Sequence, residues 1–299
     1  MTIAPKEKQV STETVSQPKP PQLPKRKIAL GLGIVFVVIF CLAPAMWQVL
    51  TSFKINEAIA TVPNVYLPSF DQLTWNHYVN LFSRRPFLLY IFNSLFVAAT
   101  ATLIALTTGA PAAYALARLR IPGEKLLVFI VLVVTLFPYV LLFLGLFEVV
   151  KALDLGNNYL ALIIPYAGKN LPLTILVLRT FFQQLPKDLE DSAKVDGYNT
   201  VQMLVRIVLP MTVPALVTTG ILAFIFAWNE FIFALTFVTE ESMKTIPVAT
   251  AQIGGSSIFE IPYGPIAAAT VAGTIPLVLM VLFFQRRIVQ GLTAGAVKG

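Results

Sequence analysis

Ile28 to about Leu50 is an apolar run, and five more come after it at about 88–117, 126–150, 159–182, 215–238 and 265–284. A bilayer core takes about 20 residues of helix, and lipid offers backbone groups no partner outside helices or closed barrels. Each run therefore reads as one span, and the chain as an all-α polytopic membrane protein with six transmembrane helices. The charged share, 12%, is far below the roughly one quarter of ordinary globular chains. Residues 1–27 are rich in Pro, Lys, Gln, Ser and Thr and read as a disordered tail ending in Lys25-Arg26-Lys27. The first run is too long for the core of a cleaved signal peptide, and Pro44, Trp47 and Gln48 stand where small residues would be wanted. It is expected to be a retained first span.

Several function classes are poorly served by this composition. The net charge of +7 comes from basic residues flanking apolar segments, not from a stripe interleaved with aromatics, so nucleic-acid binding is not expected. Cys41 is the single cysteine and His77 the single histidine. No intrachain disulfide, cysteine-based zinc site or histidine-pair metal site can form, and His77 is expected to be a surface residue. Neither H-E-x-x-H nor G-x-S-x-G occurs, and without G-x-x-x-x-G-K-[ST] the chain has no P-loop for ATP. No residue is assigned a catalytic role.

The most charged interval of the second half is Leu185 to Pro214. Asp188, Glu190 and Asp191 follow Pro186, the composition of a first helical turn where acids meet the positive end of the macrodipole. Gly197 should interrupt that short helix. Asn199 with Gln202 has capping-box spacing for a second, on which Val201, Leu204, Val205 and Val208 form one apolar face. The result is a rigid bent knob with a polar side that needs water or a partner.

Polar residues inside spans are the other points of interest, because burying a charge in a bilayer costs a few kcal/mol even on lenient scales. Asn229 and Glu230 lie in the fifth run, where Glu230 either satisfies a neighbour near a helix end or lines a passage. Lys169 and Asn170 sit in Gly168-Lys169-Asn170-Leu171-Pro172, which is expected to break the fourth span and expose groups suited to a hydroxyl-rich solute. Phe137, Tyr139, Phe143, Phe147 and Tyr166 are expected to pack or meet lipid.

Orientation follows from lysine and arginine. Of the 22 such residues, sixteen fall on the side holding both termini and the 185–210 loop. Five (Lys54, Arg84, Arg85, Lys151 and Lys244) fall on the other, and Lys169 lies within a span. Both termini and the bent knob are accordingly expected in the cytoplasm.

At these residues the chain resembles the membrane subunits of ABC importers served by a solute-binding protein, in the carbohydrate group typified by the maltose-type permease. That family carries a cytoplasmic loop written EAA, three residues, G, nine residues, I, one residue, LP. Asp191-Ser192-Ala193, Gly197, Ile207 and Leu209-Pro210 stand in that spacing, with Asp191 in place of Glu and Ser192 in place of Ala. Further similarity lies in Phe92-Asn93-Ser94-Leu95, Ala113 to Arg118, Trp228-Asn229-Glu230-Phe231 and the ending Gly291 to Gly299.

The resemblance implies a type I ABC importer transmembrane domain over 28–299 in a bacterial plasma (inner) membrane. It implies a second permease subunit, two ATPase subunits that bind ATP and Mg, and an extracytoplasmic solute-binding protein that delivers a sugar or glycoside. The chain itself would bind no cofactor. The loop 185–210 would dock on an ATPase through Glu190, Asp191, Ser192, Ala193, Asp196 and Gly197, the acids pairing with basic groups and Ala193 permitting close approach. Lys169, Asn170, Asn229 and Glu230 are the expected substrate-pathway residues. Two readings from other classes remain: an ion-coupled secondary transporter, which should show inverted repeats and intramembrane acids, and a non-transporting scaffold or receptor.

Overall fold

A computed structural model describes residues 25–61, 66–254 and 261–296. The chain divides into two compact units between Trp47 and Gln48. Among the described residues there are helices and turns but no strand, apart from one isolated bridge between Lys54 and Leu73. Helix α1 (Lys25–Phe53) is apolar enough and, at about 1.5 Å per residue, long enough to cross a membrane. It begins at the basic cluster, so Lys25-Arg26-Lys27 of the expected 1–27 tail are helical, and residues 1–24 lie outside the described residues.

In the larger unit a short helix α2 (Asn56–Ala60) and an amphipathic α3 (Asn76–Arg84) lead into α4 (Phe87–Arg118). His77 on α3 is buried and its Nε2 lies 2.8 Å from the Lys54 carbonyl, so the surface expectation for it is corrected. Helix α4 packs along α7 (Leu160–Gln184). Its buried positions include Ala98, Ala101, Ala105, Gly109 and Ala113. Small residues let helix backbones approach where lipid removes any hydrophobic drive to associate. At Gly109 a methyl group would come within 2.8 Å of Thr174 Cγ2 on α7.

Two expected spans are interrupted. The third separates into α5 (Glu124–Leu136) and, after a turn at Tyr139–Leu142, α6 (Phe143–Ala152), with an angle of 87° between the two parts. Pro138, which supplies no N–H and disfavours helix at Phe137, stands at the break. The fifth expected span, 215–238, is interrupted as well: α11 (Val213–Trp228) ends at Asn229 and α12 (Ile232–Phe237) restarts beyond Glu230. Conversely, the fourth is unbroken. Helix α7 continues through Gly168-Lys169-Asn170-Leu171-Pro172, so the expected break is absent, and Pro165 and Pro172 sit inside a regular helix.

Beyond α12 come α13 (Ile246–Ala251) and α14 (Tyr263–Ala296). Among the described residues four helices are long and apolar enough to cross a membrane, or up to six if α5 with 139–152 and 200–211 with α11, each pair bent sharply, count as one span apiece.

Candidate functional site

The stretch 185–211 forms α8 (Lys187–Val195), a corner, α9 (Thr200–Met203), a π turn at Leu204–Val208 and a last short turn α10 (Leu209–Met211). Pro186 precedes α8, and Asp188 and Glu190 stand in its first turn, as helix-start chemistry requires. Gly197 turns the corner at φ +83°, a left-handed conformation that a side chain strains. The capping box is complete: Asn199 Oδ1 accepts from the Gln202 amide at 2.8 Å, and Gln202 Oε1 accepts from the Asn199 amide at 3.0 Å. Helix α11 then leaves this segment at 81°.

The single apolar face expected for α9 does not hold. Met203, Leu204 and Val208 are buried, whereas Val201 and Val205 are exposed. The π turn takes one residue more than an α turn and so rotates the residues beyond it about the helix axis, which splits the expected stripe between core and surface. Leu204 and Val208 join Tyr114, Leu116, Ile175, Leu178 and Phe182 in one apolar cluster, which seats the knob on the neighbouring ends of α4 and α7.

Charged contacts reinforce that seat. Arg118, the last residue of α4, places Nε 3.1 Å from Glu190 Oε1 and donates from Nη2 to the Leu185 carbonyl. The Nε and Oε1 atoms are not aligned as a hydrogen bond, so the contact is that of an ion pair. Arg179 on α7 donates from Nε to the Leu116 carbonyl at 3.1 Å and from Nη2 to Glu124 at 2.6 Å. Tyr114 donates to Met203 Sδ at 3.3 Å.

Two expectations for this loop therefore need correction. Glu190 already has its basic partner within the chain, and Ala193 is buried instead of facing outward. Asp191, Ser192, Asp196 and Gly197 are exposed, and Asp191 is paired only with Lys194 at 3.1 Å in a solvated i,i+3 contact, which is a weak one. Val195, 88% exposed at the tip of α8, was not among the expected contact residues. Its signal was an apolar side chain ending a short polar helix.

The polar residues inside spans have separate fates. Asn170 donates to the Ala223 carbonyl at 3.0 Å and ties α7 to α11. Asn229 donates to the Ile225 carbonyl of its own helix. Glu230, buried, accepts from the amides of Ile232, Phe233 and Ala234 at 3.1 to 3.3 Å. Its carboxylate restarts the helix by capping orphan amides, which is the helix-end alternative and not the lining of a passage. Phe143 and Phe147 stack on Phe237, consistent with packing.

Lys169 and Asn170 line a cavity, and Lys169 brings a cation to it. The Lys169 ammonium lies 3.5 Å from the Tyr139 ring centroid, a cation–π arrangement. Both border this cavity of about 710 Å³ together with Phe137, Gly168, Phe226 and Phe233. The space falls in the range of small-molecule sites, and the bend at Pro138 is what brings Tyr139 over α7. Among the described residues no cluster of His, Cys, Asp and Glu could hold a metal.

Stacked apolar helices with a bent, charge-clamped knob at one end define a polytopic membrane subunit, and the fold is that of ABC importer transmembrane domains. A bacterial ABC transporter that imports the acidic polysaccharide alginate shares it, with a TM-score of 0.73 and 22% identity over 89% of this chain and 99% of that one. The family described as binding-protein-dependent transport system inner membrane component matches residues 105–294, and the chain belongs to it. It is 40% identical to the trehalose/maltose transport system permease MalG of Thermococcus litoralis, over 92% of this chain and 98% of the relative. It is 41% identical to the trehalose transport system permease SugB of Mycobacterium tuberculosis (88% and 94%). Against the sulfoquinovosyl glycerol transport system permease SmoH of Agrobacterium fabrum identity is 39% (86% and 89%).

Proposed function

We propose that this permease translocates a neutral sugar or glycoside, of disaccharide size, delivered by an extracytoplasmic solute-binding protein. It pairs with a second permease subunit, and of the two ATPase subunits that bind ATP and Mg, one docks on the 185–210 knob. The knob and both termini face the cytoplasm of a bacterial plasma membrane, a reading supported by the lysine and arginine bias. The observation that carries the coupling assignment is the knob itself: exposed Asp191, Ser192, Val195 and Asp196 around the Gly197 corner, on a body seated rigidly against α4 and α7. Such an element can convert closure of an ATPase into rigid-body rocking of spans.

The sugar class is supported by relatives that carry trehalose, maltose or a sulfoquinovosyl glycerol, and by a cavity in which a cation and an aromatic face stand together. Lys169 with Tyr139 is the substrate contact assigned to this chain. Asn170 lines the same cavity, whereas Asn229 and Glu230 are not among its lining residues and are engaged at the helix end.

The chain should copurify with an ATPase, and uptake should stop when that ATPase is removed. Gly197→Asp, which strains the corner, should leave ATP hydrolysis in the complex while lowering uptake at least tenfold. Uptake at full rate without ATPase subunits would instead establish an ion-driven carrier. Binding of a sugar panel to the cognate binding protein tests the substrate: a panel negative for every sugar and positive for an amino acid would overturn that class.

A further inference from the structure

Arg118 holds the knob from an unusual position. It is the C-terminal residue of α4, so its side chain carries the end of this 32-residue helix onto the start of α8. The guanidinium reaches two points at once: the Leu185 carbonyl, in the hinge between α7 and α8, and the Glu190 carboxylate one turn into α8. The two side chains are only 6% and 12% exposed, which sets this pair apart from Lys194–Asp191 at 60% and 69%. A pair so withdrawn from solvent is little screened by salt, and losing one partner leaves the other charge buried without compensation.

We infer that Arg118 and Glu190 are a positioning pair that makes α8 and α4 move as one body, so that displacement of the knob is delivered to the core of the bundle. This rests on the reading of the knob as the ATPase contact. Three features converge on it. The aligned hydrogen bond to Leu185 fixes the hinge, while the Glu190 contact is Coulombic and unaligned, so α8 is held at a pivot and pulled toward α4. Tyr114, one turn earlier on α4, meets Met203 on the other arm of the knob, so both arms are tied to the same helix. Finally, α4 has its most extensive packing against α7, and Arg179 of α7 in turn holds the Leu116 carbonyl beside Arg118. Movement of α8 without α4 would have to break a buried ion pair, whereas movement with α4 breaks nothing at this joint.

The pair touches neither substrate nor nucleotide, so its signature is a loss of coupling. In the assembled transporter, reconstituted in liposomes with its ATPase subunits and binding protein, the readout is sugar moved per ATP hydrolysed. Glu190→Gln preserves shape and the Arg118–Leu185 bond while removing one charge; it should lower that ratio about tenfold with the complex intact. Arg118→Met should do the same, and the two together should be no worse than the more damaging single change. The exchange Arg118→Glu with Glu190→Arg should recover at least a third of the wild-type ratio. Independent multiplicative effects, or a wild-type ratio in Glu190→Gln, would overturn the inference. If Arg118→Met fails to assemble, Glu190→Gln and the exchange still decide. The reading of the knob is tested separately, since its failure would appear as wild-type chain that assembles with no ATPase at all.

Discussion

At Arg118 one end of α4 grips the knob with a guanidinium and a carboxylate, whereas at Tyr90, Asn93 and Ser94 the other end grips the 239–246 segment mainly through neutral hydrogen bonds. Asn93 is fully buried; its amide donates to the carbonyls of Ser242 and Lys244, both at 2.9 Å, and its oxygen accepts from Tyr159 at 2.7 Å. Ser94 Oγ accepts from the Ile246 amide at 2.8 Å. Asn157 adds the Thr239 and Glu240 amides, and Tyr90 donates to Glu241. Neutral hydrogen bonds to backbone atoms are short-ranged and directional, so they fix one geometry. A Coulombic pair falls off slowly with distance and tolerates rotation. The contrast teaches that one loop is welded to α4 by directional neutral bonds, whereas the other is clamped to it by charge over an apolar seat.

The largest expected effect breaks the weld. Asn93→Asp replaces a donor facing two carbonyls with a buried acceptor, leaving both carbonyls unsatisfied and a charge uncompensated, at about 4 kcal/mol. Its melting temperature in detergent should fall more than that of any change at the knob, and proteolysis should become selective for 239–252. If Asn93→Asp melts like wild type, the neutral network does not carry the fold at this end. Next in size, Glu190→Gln should lower stability by about 3 kcal/mol, the order expected on breaking a mostly buried pair, and the difference should persist at 1 M salt. Loss of the difference at that salt would mean that the clamp is solvated and the contrast between the two ends is only apparent.

What could be read beforehand divides along the same line between local and distant partners. The start of α8 after Pro186, the Gly197 corner and the Asn199–Gln202 box are set by residues within four positions of one another, and each is where its residue types place it. Pro138 carried a legible signal for the bend that interrupts the third span. The role of Glu230 was half legible: a carboxylate at a helix end has a known use, but its three amides become available only because α11 stops at Asn229. Asn170, Asn93 and Arg118 were not legible, because their partners lie 53, 66 or more, and 67 or more positions away. For the same reason Glu190 read as free for a partner chain. Nothing in PKDLED indicates that α4 ends beside it.

Ser94→Ala tests whether the weld is distributed over its members. The Ile246 amide would lose its acceptor at the start of α13, at a cost of about 1 kcal/mol, and Tyr90, Asn93 and Asn157 would still hold the segment. A fall in melting temperature of a few degrees is expected, with sugar transport retained. A collapse equal to that of Asn93→Asp would show a cooperative lock instead of a sum of bonds.

The smallest effect comes from Glu241, which with Lys244 brings charge into the neutral network, and it separates the two ends by pH. Lys244 first, and then the Tyr90 hydroxyl, hold the Glu241 carboxyl below its ordinary value of 4.5. A carboxyl whose folded pKa is depressed contributes stability above its unfolded pKa, and that contribution disappears as pH falls through the folded value. Glu241 is 57% exposed, so solvent screening keeps the contribution below that of Ser94. The melting temperature of Glu241→Gln should therefore lie slightly below wild type at pH 7, equally so at pH 6, and converge with it only once the pH drops below the usual carboxylate range. Convergence already at pH 6 would require a raised pKa, which neither Lys244 nor the Tyr90 hydroxyl could produce, and would place an unrecognised acid beside Glu241. A constant gap down to the lowest pH at which the protein still folds would mean that the side chain acts by shape alone, and the weld at this end of α4 would then owe nothing to charge.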